Sequence, residues 1–246
     1  MIVKLIILIN YIIKLMQKYT DKVNNIFKGG SGNNYNGGRK KLTHFLNFPI
    51  NDKKFIETFY AFTDEVKKIN YWIDNSFHIA EILQFSTNLH FTLCVMNLQS
   101  NDDITKLNDI ILKLQPKIKE ILENKTLVLT PDKFDNFGNQ NNAKVIFLKM
   151  KEDESYKKLI KIIEDTMAEL LKEKLLDPAD SKINLHMTIF NTTFMNSKKG
   201  FAAKDIYETI NKFVFPPFEV NELRLSKMGL NKKTELYDTI YSYSLL

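Results

Sequence analysis

Two hydrophobic periods alternate along residues 42–246. Over 43–50 the apolar residues Leu46, Phe48 and Ile50 recur at every second position, which predicts a strand ended near Pro49. From 52 to 69 the spacing becomes helical, with Phe55, Ile56, Phe59, Phe62, Val66 and Ile69 on one side and Asp52 as cap. Residues 89–96 return to a strand pattern. Ser100 and Asp103 form a capping box ahead of a helix that carries Ile104, Leu107, Ile111, Leu114, Ile118 and Leu122, with a kink expected at Pro116. A short strand follows at 126–130.

The same order then recurs. Residues 144–150 predict a strand, 155–176 a long amphipathic helix, 184–190 a strand, 203–213 a helix, and 218–227 and 236–245 two strands. Each half reads strand, helix, strand, helix, strand. The expectation is an α+β fold of two similar lobes, about 42–130 and 144–246, with a site where the lobes face each other.

The first 41 residues stand apart. Residues 5–13 are apolar apart from Asn10 and are flanked by Lys4 and Lys14. This run is far short of the about 20 residues that span a bilayer. It resembles the apolar centre of a signal peptide, yet residues 15–19 offer no small-residue cleavage site. Segment 1–28 therefore reads as an apolar or amphipathic element rather than a secretion signal or membrane anchor. Residues 29–41 are rich in glycine and asparagine and read as a linker. Gly29-Gly30-Ser31-Gly32 matches the G-x-x-G of a KH loop, but too little chain precedes it and asparagines follow it in place of an apolar helix.

Lys and Arg number 35 against 29 Asp and Glu, a net charge of +6. The excess is lysine interspersed with acid; the arginines are Arg39 and Arg224. Without clustered arginine forks this argues against a duplex-binding surface, and it leaves a weak field that attracts small anions. With 44% apolar residues the chain buries a sizeable core, which excludes extended disorder and a disulfide scaffold. The single cysteine, Cys94, has no disulfide partner within the chain, so the expected compartment is reducing, cytoplasmic or nuclear.

The strongest chemical signal lies on the second predicted strand of each half: Leu89-His90-Phe91-Thr92-Leu93 and Leu185-His186-Met187-Thr188-Ile189. Both read apolar–His–apolar–Thr–apolar. Strand side chains alternate, so each His–Thr pair faces a cleft while the apolar residues face the core. The chain has only 4 histidines, and matching flanks at equivalent places in two half-repeats argue against coincidence. Imidazoles titrate near neutrality, so one can act as general base and the other as general acid. A threonine two residues along the strand, about 6–7 Å away by strand rise, can donate to a non-bridging phosphate oxygen. Two such pairs would bracket one phosphodiester without a metal. Which histidine is base and which is acid stays open, because the motifs are nearly equivalent.

Other chemistries fit less well. A metal site wants three or four ligands, and no Asp, Glu or Cys cluster accompanies the histidines at ligand spacing. Cys94 shares the predicted face of His90, but four residues of strand place it about 13 Å away, out of reach as a Cys–His nucleophile. No P-loop or G-x-G-x-x-G is present. His44 and His78 lack the motif and read as structural or exposed.

These residues resemble the 2H phosphoesterase superfamily, defined by two His-x-Thr/Ser motifs on a duplicated bilobal, LigT-like fold. Thr43-His44-Phe45-Leu46 before a helix is similar to the opening of the phosphoesterase domain shared by activating signal cointegrator 1 complex subunit 1 and the A-kinase anchor protein 7-like proteins. Residues 185–194, Phe201, Asp205-Ile206 and Leu223-Arg224-Leu225-Ser226 also follow that branch. The resemblance spans about 42–246. It implies two antiparallel-rich sheets around a central cleft with helices outside, His90 and His186 as catalytic residues, Thr92 and Thr188 as phosphate-binding residues, and no cofactor or metal. The implied activities are cleavage of 2′,5′-oligoadenylates or 2′,3′-cyclic phosphates, with a nucleotide or oligonucleotide as partner. A different reading is a non-catalytic nucleotide-binding scaffold among the subunits of a transcription and alkylation-repair coactivator complex. The residues before 42 are too short for the KH module of the cointegrator subunit, and no segment matches the kinase-anchoring elements.

Overall fold

In the computed structural model, described for residues 41–246 except 74, 196, 198 and 232, eleven strands and four α-helices are formed. The expected apolar segment 1–28 and the linker up to residue 40 lie outside the described residues. In chain order the elements are β1 (His44–Pro49), α1 (Lys53–Val66), β2 (Trp72–Ile73), β3 (Phe77–His78), β4 (His90–Met96), α2 (Asn101–Ile121), β5 (Leu127–Leu129), β6 (Pro131–Asn136), β7 (Val145–Met150), α3 (Glu154–Lys172), β8 (Met187–Asn191), α4 (Lys204–Ile210), β9 (Phe218–Val220), β10 (Glu222–Leu230) and β11 (Tyr237–Ser244).

Local chemistry places the helix starts. The Asp52 carboxylate accepts from the Phe55 amide at 2.9 Å, and Ser100 and Asp103 close a full capping box. Asp153 caps α3 in the same way as Asp52 caps α1. Pro116 lies inside α2, which runs on past it to Ile121. The expected strand at 218–227 is two strands, β9 and β10, broken at Asn221. The segment 131–136, with no apolar alternation to announce it, forms β6.

Seven strands pair antiparallel in the order β11-β10-β1-β4-β8-β7-β6. They form two groups, β11-β10-β1-β4 and β8-β7-β6, joined through one pair, Phe91 with Met187. Beyond it β4 and β8 part, and the chain at Leu83 and Gln84 bonds to β8 instead.

The α+β class and antiparallel pairing are as expected, but the lobes are not the contiguous pieces 42–130 and 144–246. β6 follows the first half in sequence and pairs with β7 of the second. β10 belongs to the second half in sequence and pairs with β1 of the first. The second half thus hands β10 and β11 to the first, while β6, between the two pieces, joins the second. The strands before these, β5 and β9, pair with each other in a separate two-stranded sheet. Hydrophobic periodicity reports that a strand exists; pairing depends on which edge is open when the chain arrives.

An aromatic cluster locks the exchange. Phe62 on α1 stacks on Phe134 of β6 at 5.5 Å and meets Phe190 of β8 at 6.1 Å, so a first-half helix packs on second-half strands. Phe55, Phe59, Phe215 and Phe218 complete the cluster, all nearly fully buried. Such rings bring both large apolar area and favourable edge and offset geometry.

Candidate active site

His90 opens β4, and His186 lies one residue before β8 rather than within a strand reaching back to 184. The single β4–β8 pair sets their relation. Counting one residue outward from Phe91–Met187 puts His90 across from Thr188, and Thr92 across from His186. Phe91 and Met187 are fully buried on the core side. The four motif residues lie together on the opposite face, half-buried.

Both imidazoles are oriented alike. His90 Nδ1 is 2.7 Å from the Asn88 carbonyl oxygen, and His186 Nδ1 is 2.6 Å from that of Asn184. A carbonyl only accepts, so each Nδ1 carries the proton and each Nε2 is the nitrogen left for chemistry. His90 Nε2 lies 3.2 Å from Thr92 Oγ1, close enough for the hydroxyl to donate to it.

Burial pulls both histidines below the ordinary imidazole range. For His90 the burial outweighs the support of the Asn88 carbonyl, and the charge of His186 lowers it further. His186 is lowered by burial against the support of Asn184. The effect of His186 on His90 agrees with their closeness across the strand pair.

A β-bulge accompanies each motif. On β1–β4 the register runs Leu46 to Cys94 and then Asn47 to Thr92, leaving Leu93 as the extra residue. On β7–β8 it runs Ile146 to Phe190 and then Phe147 to Thr188, leaving Ile189. Both bulges come directly after the threonine, where they re-aim the strand. The first corrects the expected face of Cys94: it pairs with Leu46 and turns to the core, away from His90. Cys94 is buried, and burial pushes its thiol up to about 12, which removes it as a nucleophile.

The motifs did not announce the aromatic walls. His90 sits 5.5 Å from both the Phe45 and the Tyr237 rings. His186 sits 4.8 Å from Phe137 and 5.5 Å from Phe147, both edge-on. Phe137 is 37% exposed, so its ring is open to a ligand. These aromatics come from strands and loops distant in sequence and carry no motif of their own.

His44 and His78 stand elsewhere. His44 is buried on β1, its Nδ1 2.8 Å from the Thr43 hydroxyl. His78 Nδ1 accepts from the Ala80 amide and caps a 3₁₀ turn. Among the described residues no three His, Cys, Asp or Glu side chains converge as a metal-ligand set, and no helix is long and apolar enough to cross a membrane.

Human A-kinase anchor protein 7 isoform gamma is 27% identical over 175 residues, 71% of this chain and 46% of that protein. The chain thus matches about half the length of that relative. The fold is shared with E. coli LigT, solved as a complex with NADP+, at a TM-score of 0.53 and 13% identity, covering 82% of this chain and 97% of LigT. The Thermus thermophilus protein TT0787 gives a TM-score of 0.50 at 15% identity, covering 82% of this chain and 97% of that one. The family model described as the AKAP7 2′5′ RNA ligase-like domain matches residues 42–245, and the chain belongs to that family, within the 2H phosphoesterase superfamily.

Proposed function

We propose that residues 42–246 form a metal-independent phosphodiesterase acting on RNA-type linkages, with His90 and His186 as the acid–base pair and Thr92 and Thr188 as phosphate ligands. The observation that carries this reading is the meeting of two His–Thr pairs across one strand pair, each imidazole held through Nδ1 with Nε2 left for the substrate. A phosphodiester lies between the two Nε2 atoms. One neutral Nε2 takes the proton of the attacking ribose hydroxyl or water. The other, protonated, gives its proton to the departing oxygen as the P–O bond breaks. The threonine hydroxyls donate to the non-bridging oxygens, where charge grows in the transition state. The substrate class is a 2′,5′-oligoadenylate or a 2′,3′-cyclic phosphate, and the compartment a reducing one, cytoplasm or nucleus.

The test mixes the protein with 2′,5′-linked oligoadenylate, its 3′,5′ isomer and a 2′,3′-cyclic phosphate in EDTA. His90→Ala and His186→Ala run alongside. Cleavage in EDTA that both substitutions abolish supports the mechanism and names the linkage. Saturable nucleotide binding without turnover would replace it with a nucleotide-binding scaffold.

A further inference from the structure

The internal repeat makes the two sides of the cleft directly comparable. Moving outward from Thr92, the register passes through Asn47 on β1, Arg224 on β10 and Ser242 on β11. Moving outward from Thr188, it passes through Phe147 on β7 and Asp135 on β6. Paired residues share a face of the sheet. Asn47 therefore corresponds to Phe147, and Arg224 to Asp135. Equivalent positions carry opposite charge, each within an ion pair, Arg224 with Glu222 and Asp135 with Lys149 at 3.8 Å, and one arm is polar where the other is aromatic.

The arm that carries Arg224 has a pocket. A cavity of about 110 Å³ opens beside His90, lined by Asn47, Asn88, Arg224, Ser226 and Tyr237 among others. Asn47, Asn88 and Ser226 are polar side chains at 4%, 4% and 1% exposure, unusual where apolar packing would otherwise suffice. The Asn47 amide donates to Ser226 Oγ at 3.0 Å, which fixes both at the pocket wall. Arg224 remains 31% exposed, and its Nη2 donates to Glu222 Oε2 at 2.7 Å. Glu222 also takes donors from Asn51 and the Ser242 hydroxyl, so its charge is engaged by three groups while it holds the guanidinium in place. A guanidinium has five N–H donors, and among the described residues only Glu222 partners the Arg224 side chain.

We propose that this pocket is a second anion subsite, in which Arg224 binds the phosphate one nucleotide removed from the scissile one. The proposal rests on the nucleotide-cleaving reading above. Two strand spacings of about 4.8 Å each separate Arg224 from Thr92 at the backbone, and the long side chain shortens that gap toward the neighbouring phosphate of a bound chain. The subsite gives the substrate a direction, its flanking phosphate on the Arg224 side and a base on the Phe137 side. It also favours an oligonucleotide or bisphosphate over a ligand with one phosphate.

The experiment titrates adenosine 2′,5′-bisphosphate and adenosine 2′-monophosphate calorimetrically into wild type, Arg224→Ala and Arg224→Lys, with a melting curve for each protein. The wild type is expected to prefer the bisphosphate by about tenfold or more, as a charge-assisted arginine–phosphate contact provides. That ratio falls to near one in Arg224→Ala and is partly kept in Arg224→Lys. Should Arg224→Ala not fold, a reduced ratio in Arg224→Lys carries the test. A wild-type ratio near one removes the second subsite and leaves the nucleotide cleft standing. A ratio unchanged in both variants removes Arg224 as its ligand and overturns the proposal. Binding of neither nucleotide overturns both this proposal and the reading beneath it.

Discussion

The His90 and His186 sites are built by the same rules and finished differently. Each holds its imidazole on the carbonyl two residues back, each is followed by a bulge, and each has two aromatic neighbours. Around His90 the hydroxyl of Thr92 lies within bonding distance of Nε2, and the wall carries Tyr237 and a polar pocket. Around His186 the wall is Phe137 and Phe147, one of them open to solvent. Duplication supplied two imidazoles held in the same way; divergence around them made their surroundings unequal. A symmetric site would bind a symmetric phosphodiester in either sense, whereas the unequal walls favour one.

The largest effect that probes this comparison comes from the histidines. His90→Ala and His186→Ala should each lower kcat by about 10²–10⁴-fold, the range of general acid–base contributions. The double variant should be little worse than either single one, because the two act as a unit. Steady-state rates on a cleaved linkage check this, and strict additivity would mean that the histidines work independently.

The threonines come next. Thr92→Val and Thr188→Val remove one donor each and should lower kcat by about 10²-fold, as loss of a single oxyanion donor does. Thr92→Val should also change the NMR shift of His90 Nε2 in the free protein, since only Thr92 lies at bonding distance from its histidine there. Equal spectroscopic effects of the two substitutions would erase this difference between the sites.

The aromatic walls should separate binding from stability. Phe137→Ala should weaken nucleotide binding by about tenfold, the lower part of the 1–3 kcal/mol range for base stacking, with little change in Tm, because the ring is already 37% exposed. Tyr237→Ala removes a ring packed between Phe45 and His90 and should lower stability by about 1–2 kcal/mol. Titration calorimetry and thermal melts distinguish the two, and a reversed pattern would move the base to the His90 side.

The smallest effect is on pH dependence. Burial lowers both imidazoles from 6.5, so the kcat/KM optimum of the free protein should fall below pH 6.5. The sign for stability follows from the same shift. Unfolded imidazoles bind protons near 6.5 while the folded ones resist them, so stability is full above that pH and declines as pH falls below it. His44, lowered first by burial and then by Lys227, adds to this slope. Melts from pH 7.5 to 5 measure the decline, and His90→Ala should reduce it. A stability that rises on acidification would mean that the histidines gain partners when protonated.

Much of the site and most of the elements were legible in the chain. The helix caps at Asp52 and Ser100 act through residues three positions away, so local spacing alone specifies them. The His-x-Thr motifs were readable because strand alternation puts both side chains on one face whatever the strand pairs with. The bulge that turns Cys94 inward was not, because a bulge is defined by the partner strand as much as by its own. Nor was β6, whose apolar Phe134 packs on a helix far away in sequence.

The sequence by itself determined the repeat, the alternation of helix and strand, and the identity of the paired histidines, all of which rest on contacts within a few residues. Only the tertiary structure decided that β10 and β11 join the first half, that β4 and β8 meet through one pair, and that Arg224 stands where its counterpart is Asp135. Those outcomes depend on which strand edges are free and how buried rings fit together, and much of that information comes from residues far apart in the chain, as His44 of β1 paired with Lys227 of β10 shows.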